Sequence, residues 1–181
     1  MLHKSLEAKL TFKLYSSPPV FAFNPGSTRL LVAAYRGVKL VDVETRNELA
    51  VCGELKETKD VAFSPNGTLF LTASDDGMLR LWNADTSVEK FTLEGHKKAI
   101  NRACFSPCGK YVASASDDGT VRLWRTKDGS RVATFSNPNR TRRVRCVAFC
   151  ADGETLWSGD SHGTVVMRRM RDIVPSNEQA S

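Results

Sequence analysis

One segment of this chain occurs in two similar copies, 42 residues apart. Residues 61–83 and 103–125 agree at 12 of 23 positions when one is shifted onto the other. Both copies contain a Phe-Ser-Pro-x-Gly turn, beginning at Phe63 and Phe105, and a Ser-Asp-Asp-Gly turn, beginning at Ser74 and Ser116. A fixed period of this length indicates a repeat architecture, in which each unit buries its apolar face against its neighbours.

Weaker copies flank the two strong ones. Residues 23–42 repeat the pattern upstream, with Val41 at the position of Trp82, and residues 148–168 repeat it downstream, with Arg168 at the position of Trp124. The terminal units of a repeat protein are often atypical, because one of their faces meets a different neighbour. The sequence therefore predicts four units, two strong and two degraded.

Each unit has the pattern of short β-strands. Apolar or alternating runs at residues 61–63, 69–73 and 78–82 are separated by Gly-containing turns, and a fourth run follows at residues 88–93. The glycines supply the positive φ angles that tight hairpins require. No segment has the pattern of a long amphipathic helix, so we expect an all-β fold.

The third unit resembles the signature of the WD-repeat family. Gly95 and His96 precede Ser114, Asp118 and Trp124 at the family's spacing. The resemblance implies a β-propeller of four-stranded blades, and a structural tetrad in which His, Ser, Asp and Trp are hydrogen-bonded. The second unit keeps only part of this set, and the tetrad residues predicted by resemblance are His96, Ser114, Asp118, Trp124, Thr72, Asp76 and Trp82. In the second unit Glu54 stands in place of the His. In the fourth unit Arg140 stands in place of the His, His162 in place of the Asp and Arg168 in place of the Trp.

The resemblance also suggests a domain layout. We expect an N-terminal lead-in at residues 1–9, a propeller domain at residues 10–171 and a disordered tail at residues 172–181. The blades cover about residues 18–50, 51–93, 94–136 and 137–171, and strand 10–15 completes the last blade. Four blades are fewer than family members usually have, which leaves three arrangements open: a partial ring, a closed small ring, or half of a dimeric ring.

Composition limits the class of protein. The chain is 41% hydrophobic and 25% charged, as ordinary globular proteins are. It has no apolar run long enough to span a membrane and no apolar signal core, and its five cysteines are an odd number for a disulfide framework. We therefore expect a cytoplasmic or nuclear protein without a membrane segment.

Positive charge is concentrated in the second half of the chain. Residues 91–181 carry 15 basic and 9 acidic side chains, which accounts for the whole net charge of +6. The resemblance implies that the segments leading into the innermost strands lie on one face that partners often use. The candidate partner-binding face consists of Lys56, Lys59, Lys98, Asn101, Arg142 and Arg145, together with Asp75 and Asp117.

The sequence favours an interaction module over an enzyme. It contains no phosphate-binding Gly-rich loop, no His-Glu-x-x-His and no Cys-x-x-Cys, so we expect no catalytic residues, no metal and no cofactor. The predicted function is a protein–protein interaction scaffold. The alternative is a reader of acidic, phosphorylated or nucleic-acid ligands, in which nucleic acid is less favoured because no aromatic stacking set lies beside the arginines. The chain is predicted to form a homodimer or to belong to a longer propeller.

Overall fold

A computed structural model describes residues 20–34, 37–53, 57–136 and 142–174. It confirms the all-β prediction: the described residues form fifteen strands in four antiparallel sheets, here called blades 1 to 4 in chain order. Apart from one short 3-10 turn at Met170–Asp172, these residues contain no helix. None of the described segments could therefore cross a membrane as a helix.

The strands of each blade follow one another in the sheet as they do in the chain. Blade 1 contains β1 (Phe21–Phe23), β2 (Arg29–Ala34), β3 (Gly37–Asp42) and β4 (Glu48–Cys52). Blade 2 contains β5 (Thr58–Phe63), β6 (Leu69–Ser74), β7 (Leu79–Asn83) and β8 (Glu89–Leu93). Blade 3 contains β9 (Ile100–Phe105), β10 (Tyr111–Ser116), β11 (Thr120–Arg125) and β12 (Arg131–Ser136). Blade 4 contains β13 (Val144–Phe149), β14 (Thr155–Asp160) and β15 (Val165–Arg169).

Blade 4 has three strands within the described part of the chain. The predicted lead-in 1–9 and the predicted strand 10–15 lie outside that part, as do residues 175–181 of the predicted tail. Residues 172–174 differ from the prediction of a disordered tail. They continue the 3-10 turn, and Val174 is buried with Met170 against blades 3 and 4.

The core lies between the blades. Leu31 and Leu40 of blade 1 pack with Phe70 and Trp82 of blade 2, whose rings stack 5.9 Å apart. Two equivalent clusters join blade 2 to blade 3 and blade 3 to blade 4. Strands in the middle of the stack are therefore buried on both faces, and every residue of β10 is buried. Burial of this apolar surface is the main stabilising contribution to such a fold.

A second set of contacts repeats at the turn after the first strand of each blade. The turn Gly of one blade lies against the turn Pro of the preceding blade. A Cβ added at Gly67 would lie 3.4 Å from Pro25, one at Gly109 would lie 3.8 Å from Pro65, and one at Gly153 would lie 3.7 Å from Pro107. This Pro–Gly column fixes the spacing of successive blades at one end of the molecule.

The four blades do not close a ring. The first strands of neighbouring blades contact one another in chain order, β1 with β5, β5 with β9 and β9 with β13. These contacts place the first strands at the centre of an open, curved stack. The closed small ring is thereby excluded for the described residues, and the partial ring and the half of a dimeric ring remain.

Candidate interaction face

The turns between second and third strands lie on the same side of the blades as the segments that lead into the first strands. The amide of Asp75 donates to the carbonyl of Glu57, that of Asp117 to Ala99 and that of Ser161 to Arg143, each over 2.9 Å. We call this side the top face. The Pro–Gly column marks the opposite side, the bottom face.

A hydrogen-bonded chain supports the top face in blade 3. His96 Nδ1 lies 2.9 Å from Asp118 Oδ2, and His96 Nε2 lies 2.8 Å from Ser114 Oγ. Trp124 Nε1 donates to the same Ser114 oxygen over 3.0 Å. The Asp118 carboxylate also accepts the backbone amide of Lys97 and both the amide and the hydroxyl of Thr120. The chain ties the loop before β9 to β10 and to the turn before β11.

Burial and hydrogen bonding together set the protonation states of His96 and Asp118. The His96 side chain is 0% exposed, and burial lowers the pKa of His96 below its ordinary value, although the hydrogen bond to Asp118 acts in the opposite direction. Burial also opposes ionisation of Asp118, but the hydrogen bonds from His96 and Thr120 outweigh it and hold the pKa of Asp118 below its ordinary value. The stable arrangement is a neutral His96 whose Nδ1–H donates to the Asp118 carboxylate and whose Nε2 accepts from Ser114.

Blade 2 retains part of this arrangement. Trp82 Nε1 donates to Thr72 Oγ1 over 3.1 Å, as Trp124 donates to Ser114. Asp76 accepts the amide of Met78 over 2.9 Å and faces Arg80, whose Nη2 lies 3.1 Å away. Glu54, the predicted replacement for the His, lies outside the described residues. In blade 2 the Asp76 carboxylate pairs with Arg80, whereas in blade 3 the Asp118 carboxylate is hydrogen-bonded to His96.

Blade 4 substitutes different groups for the same contacts. Arg168 Nη1 donates to Ser158 Oγ over 2.9 Å, at the position of the Trp donor, and its guanidinium lies 4.8 Å from the centre of the Phe135 ring. Asp160 accepts the amides of His162 and Thr164. In blade 3 the equivalent amides are bound by Ser116 and Asp118. Asp160 alone therefore accepts the two amides that are bound by two side chains in blade 3, and the His162 side chain is exposed.

The predicted partner-binding residues meet between blades 3 and 4. Asn101 Nδ2 donates to Asp117 Oδ1 over 2.6 Å and to the carbonyl of Val144 over 2.8 Å. Arg145 Nη1 lies 3.2 Å from the same Asp117 oxygen and donates to Asn101 Oδ1 over 3.3 Å. Arg143 reaches the other Asp117 oxygen over 3.5 Å. We call Asn101, Asp117, Arg143 and Arg145 the Asp117 cluster; it links the top faces of the two blades.

The remaining predicted face residues are more dispersed. Lys59 lies 2.9 Å from Glu57 and 3.6 Å from Asp75, and the hydrogen bond with Glu57 raises the pKa of Lys59. Arg142 donates to Thr164 over 3.1 Å and lies 3.7 Å from Asp160. Lys98 is exposed, and Lys56 lies outside the described residues. The top face is therefore less basic than the sequence indicated, because acidic side chains lie beside most of its cations.

Sequence reasoning missed two contributors. Arg143 lies between the predicted face residues Arg142 and Arg145 but was not itself predicted. Asp60 gave no signal at all, since Arg102 and Cys146 occupy its position in the next two blades. It is 4% exposed, accepts the amide of Ala103 over 2.9 Å and pairs with Arg102 over 3.2 Å, so it joins β5 to β9 across the blade boundary. Burial raises the pKa of Asp60.

Comparison with known proteins decides the family. Residues 52–83 and 87–125 match the family model described as WD domain, G-beta repeat. The chain belongs to the WD-repeat family. Its two strong repeats, in blades 2 and 3, are the ones that match, and WD40 repeats are generally a non-catalytic fold that mediates protein interactions.

Relatives are far longer than this WD-repeat chain. Telomerase protein component 1 of Mus musculus is 31% identical over 161 residues, which cover 88% of this chain and 6% of that protein. Apoptotic protease-activating factor 1 of Danio rerio is 41% identical over 63 residues, which cover 34% of this chain and 5% of that protein. TOPLESS-RELATED PROTEIN 2 of Oryza sativa subsp. japonica is 34% identical over 59 residues, or 32% and 5% of the two chains. The chain thus spans a small fraction of these relatives.

His96 and Asp118 are enclosed by their hydrogen bonds, and the described residues contain no group of three or more His, Cys, Asp or Glu side chains that could hold a metal ion. All five cysteines are free. Burial raises the pKa of Cys104 to about 11, which leaves its thiol protonated and unreactive at neutral pH.

Proposed function

We propose that this WD-repeat chain is a non-catalytic interaction scaffold, and that it binds an acidic or phosphorylated protein segment on its top face at the Asp117 cluster. The observation that carries the proposal is the convergence of Arg143 and Arg145 on one carboxylate. Their side chains are 58% and 46% exposed, whereas Asp117 is 18% exposed. The cations thus lie on the solvent side of the acid that pairs with them.

The cluster has donor capacity to spare. Each guanidinium carries five N–H donors in a planar fork, and Asp117 occupies only part of those of Arg143 and Arg145. A carboxylate or phosphate of a partner fits the remaining fork as a bidentate ligand. Exposed ion pairs contribute at most about 1 kcal/mol, so rearranging the Arg–Asp117 pairs to admit a second anion costs little.

The neighbouring blade extends the same surface. Arg142 and Arg145 approach from blade 4, and Lys98 is exposed beside Asn101 at the start of blade 3. Together with Arg143, these cations lie on the top face at the junction of blades 3 and 4 and favour a segment with several negative charges over a single one. The exposed acids Glu57 and Asp75 lie on the same face in blade 2 and repel negative charge placed away from the Asp117 cluster.

Reversal of two cations tests the proposal. The probe is a fluorescent peptide with one phosphoserine among aspartates, compared with its unphosphorylated form, and polarisation gives the affinity. The double variant Arg143→Glu, Arg145→Glu, at two exposed side chains of the Asp117 cluster, is expected to lose at least tenfold in affinity with unchanged circular dichroism. The control is Lys110→Glu, Lys127→Glu, which makes the same charge change at two exposed bottom-face positions and should leave the affinity almost unchanged.

Three outcomes would overturn the assignment. Equal weakening by both double variants would mean that net charge, and not the Asp117 cluster, attracts the peptide. An affinity that is independent of salt would contradict an electrostatic site. Tighter binding of a single-stranded oligonucleotide than of either peptide would favour the nucleic-acid alternative.

Location in the cytoplasm or the nucleus is part of the same proposal. It is supported by the five free cysteines, since reducing compartments keep thiols from forming disulfides. Self-association, or participation in a longer propeller, concerns other surfaces: the open faces of blades 1 and 4.

A further inference from the structure

Each blade has a front face, toward the preceding blade, and a back face, toward the following one. On the back faces of blades 1, 2 and 3, three positions of the second and third strands recur: Leu31, Val38 and Leu40; Leu71, Leu79 and Leu81; Ala113, Val121 and Leu123. All nine side chains are between 0% and 2% exposed, because the next blade covers them. The back face is thus a recurring docking surface within the fold.

Blade 4 presents the same three positions to solvent. Trp157 aligns with Leu71 and Ala113, Val165 with Leu79 and Val121, and Met167 with Leu81 and Leu123. They are 45%, 65% and 42% exposed. Trp157 lies directly beside Met167 in the sheet, so the two form one continuous apolar patch. Blade 4 therefore carries a blade-docking surface that the described residues leave uncovered.

The opposite end of the stack shows the matching surface. Phe21 and Phe23 lie on the front face of blade 1 and are 60% and 50% exposed. The residues equivalent to Phe21 in blades 2, 3 and 4 are Val61, Ala103 and Val147, each at most 7% exposed because the preceding blade covers them. Among the described residues, the back face of blade 4 and the inner strand of the front face of blade 1 are thus exposed.

Side-chain size indicates that the two surfaces fit each other. At two of the three blade junctions a back-face Leu shares a cluster with a front-face Trp: Leu31 with Trp82, and Leu71 with Trp124. Blade 4 has the large Trp157 at the Leu position, and blade 1 has the small Val41 at the Trp position. One exchange compensates for the other, and the total volume of the pair is nearly kept.

We propose that the back face of blade 4 docks the front face of blade 1 of a second copy of this chain. The contact is head-to-tail, and in a pair of copies it forms twice, which closes eight blades into one ring. Val41 is 1% exposed in the single copy, so docking must uncover it for Trp157 to pack there. The surface is separate from the top face, and the fate of the peptide-binding proposal does not affect it.

The contact is large enough for a weak but specific dimer. The three described strands of blade 4, about 4.8 Å apart and about 17 Å long, give a footprint of roughly 240 Å² per face. Two contacts with two faces each bury roughly 1,000 Å² in total, the size of a weak interface. We therefore expect a dimer that dissociates upon dilution into the low micromolar range.

Solution mass tests the dimer directly. Light scattering and sedimentation of the purified chain should give twice its mass of 20.0 kDa at high concentration and approach the single mass at low concentration. Trp157→Glu and Phe21→Glu should each abolish the dimer, since each disables one side of both contacts. Val88→Glu is the matched control: Val88 is 63% exposed in the turn before β8, outside either face, and its substitution should leave the dimer intact.

Mixing the two variants distinguishes this arrangement from a symmetric one. The Trp157→Glu copy keeps a native front face and the Phe21→Glu copy keeps a native back face, so the mixture should form a one-contact dimer that neither variant forms alone. Because it has half the interface, this dimer should require a higher concentration than the parent dimer. A back-to-back dimer predicts no effect of Phe21→Glu and no recovery upon mixing. If Trp157→Glu does not fold, Val165→Glu at the same face takes its place.

The proposal is overturned by any of three results. A folded monomer at all concentrations would mean that the back face of blade 4 is covered by something other than a second copy, such as a further blade of a longer chain. A dimer that survives both substitutions would place the contact elsewhere. Loss of the dimer in Trp157→Glu alone would exclude blade 1 as the occupant.

Discussion

Ser114 is the residue at which the hydrogen-bonded chain of blade 3 is most vulnerable. It is 0% exposed, accepts a hydrogen bond from Trp124 and donates one to His96. Replacement by Ala leaves two buried polar groups without partners, the indole N–H and the imidazole Nε2. Each costs about 1–3 kcal/mol, so Ser114→Ala should lower the free energy of unfolding by about 2–6 kcal/mol.

Blade 2 provides the internal comparison. Thr72 is also 0% exposed, but it bonds only Trp82 among the tetrad positions. The near-isosteric Thr72→Val leaves one orphaned N–H, which corresponds to about 1–3 kcal/mol. The ratio of the two losses, about two to one, is a firmer expectation than either value, because both sites share the same fold position and burial.

Urea unfolding followed by circular dichroism measures both losses. Ser136→Ala, on the exposed side of β12, serves as the control and should stay within about 0.5 kcal/mol of the parent chain. Equal losses for Ser114→Ala and Thr72→Val would refute the reasoning, since His96 would then contribute nothing through Ser114. A loss below about 0.5 kcal/mol at both sites would show that the tetrad positions do not stabilise these blades.

Two further predictions follow from the same region. Because burial lowers the pKa of His96 in the folded chain, the unfolded chain binds the imidazole proton more readily. The contribution of His96 to stability should therefore be full above about pH 6.5 and fall as the pH decreases. Urea midpoints measured from neutral pH downward should show this fall in the parent chain and a flatter dependence in His96→Gln. Gly77→Ala should destabilise far more than Gly163→Ala in thermal unfolding: both positions have positive φ, but the new Cβ at Gly77 would lie 2.9 Å from the carbonyl oxygens of His96 and Lys98, whereas the one at Gly163 meets nothing within 4 Å.

The sequence predicted the fold where the repeat was strong. The runs at residues 61–63 and 69–73 lie in β5 and β6, and the run at residues 88–93 lies in β8 except for Val88. Alternating burial and Gly turns depend on the local sequence, so the local sequence predicts them. The family prediction is confirmed by the WD domain match. Ring closure left no such trace, since it depends on the angles between blades and not on any one segment.

The charged site was harder to predict because its charge pairs form between residues of different blades, which are far apart in the sequence. The repeat alignment brought Asn101 and Arg145 to equivalent positions, but it could not show that both reach Asp117 across a blade boundary. The alignment placed Arg168 at the position of a Trp and His162 at the position of an Asp, but it did not show which contacts are kept. Arg168 still donates to Ser158, and Asp160 alone accepts the two amides that Ser116 and Asp118 accept in blade 3.

The Pro–Gly column gives the two ends of each blade different tolerance for change. At the bottom face the turn of blade 3 is held between its neighbours, with Gly109 against Pro65 and Pro107 against Gly153. An inserted residue there would disturb two blade junctions at once. At the top face, side chains as different as Glu57, Ala99 and Arg143 occupy equivalent positions before the first strands. Away from the loop that carries His96, altered side chains in these segments should therefore be accommodated without loss of the stack, which makes the top face the one to redesign for new binding specificity.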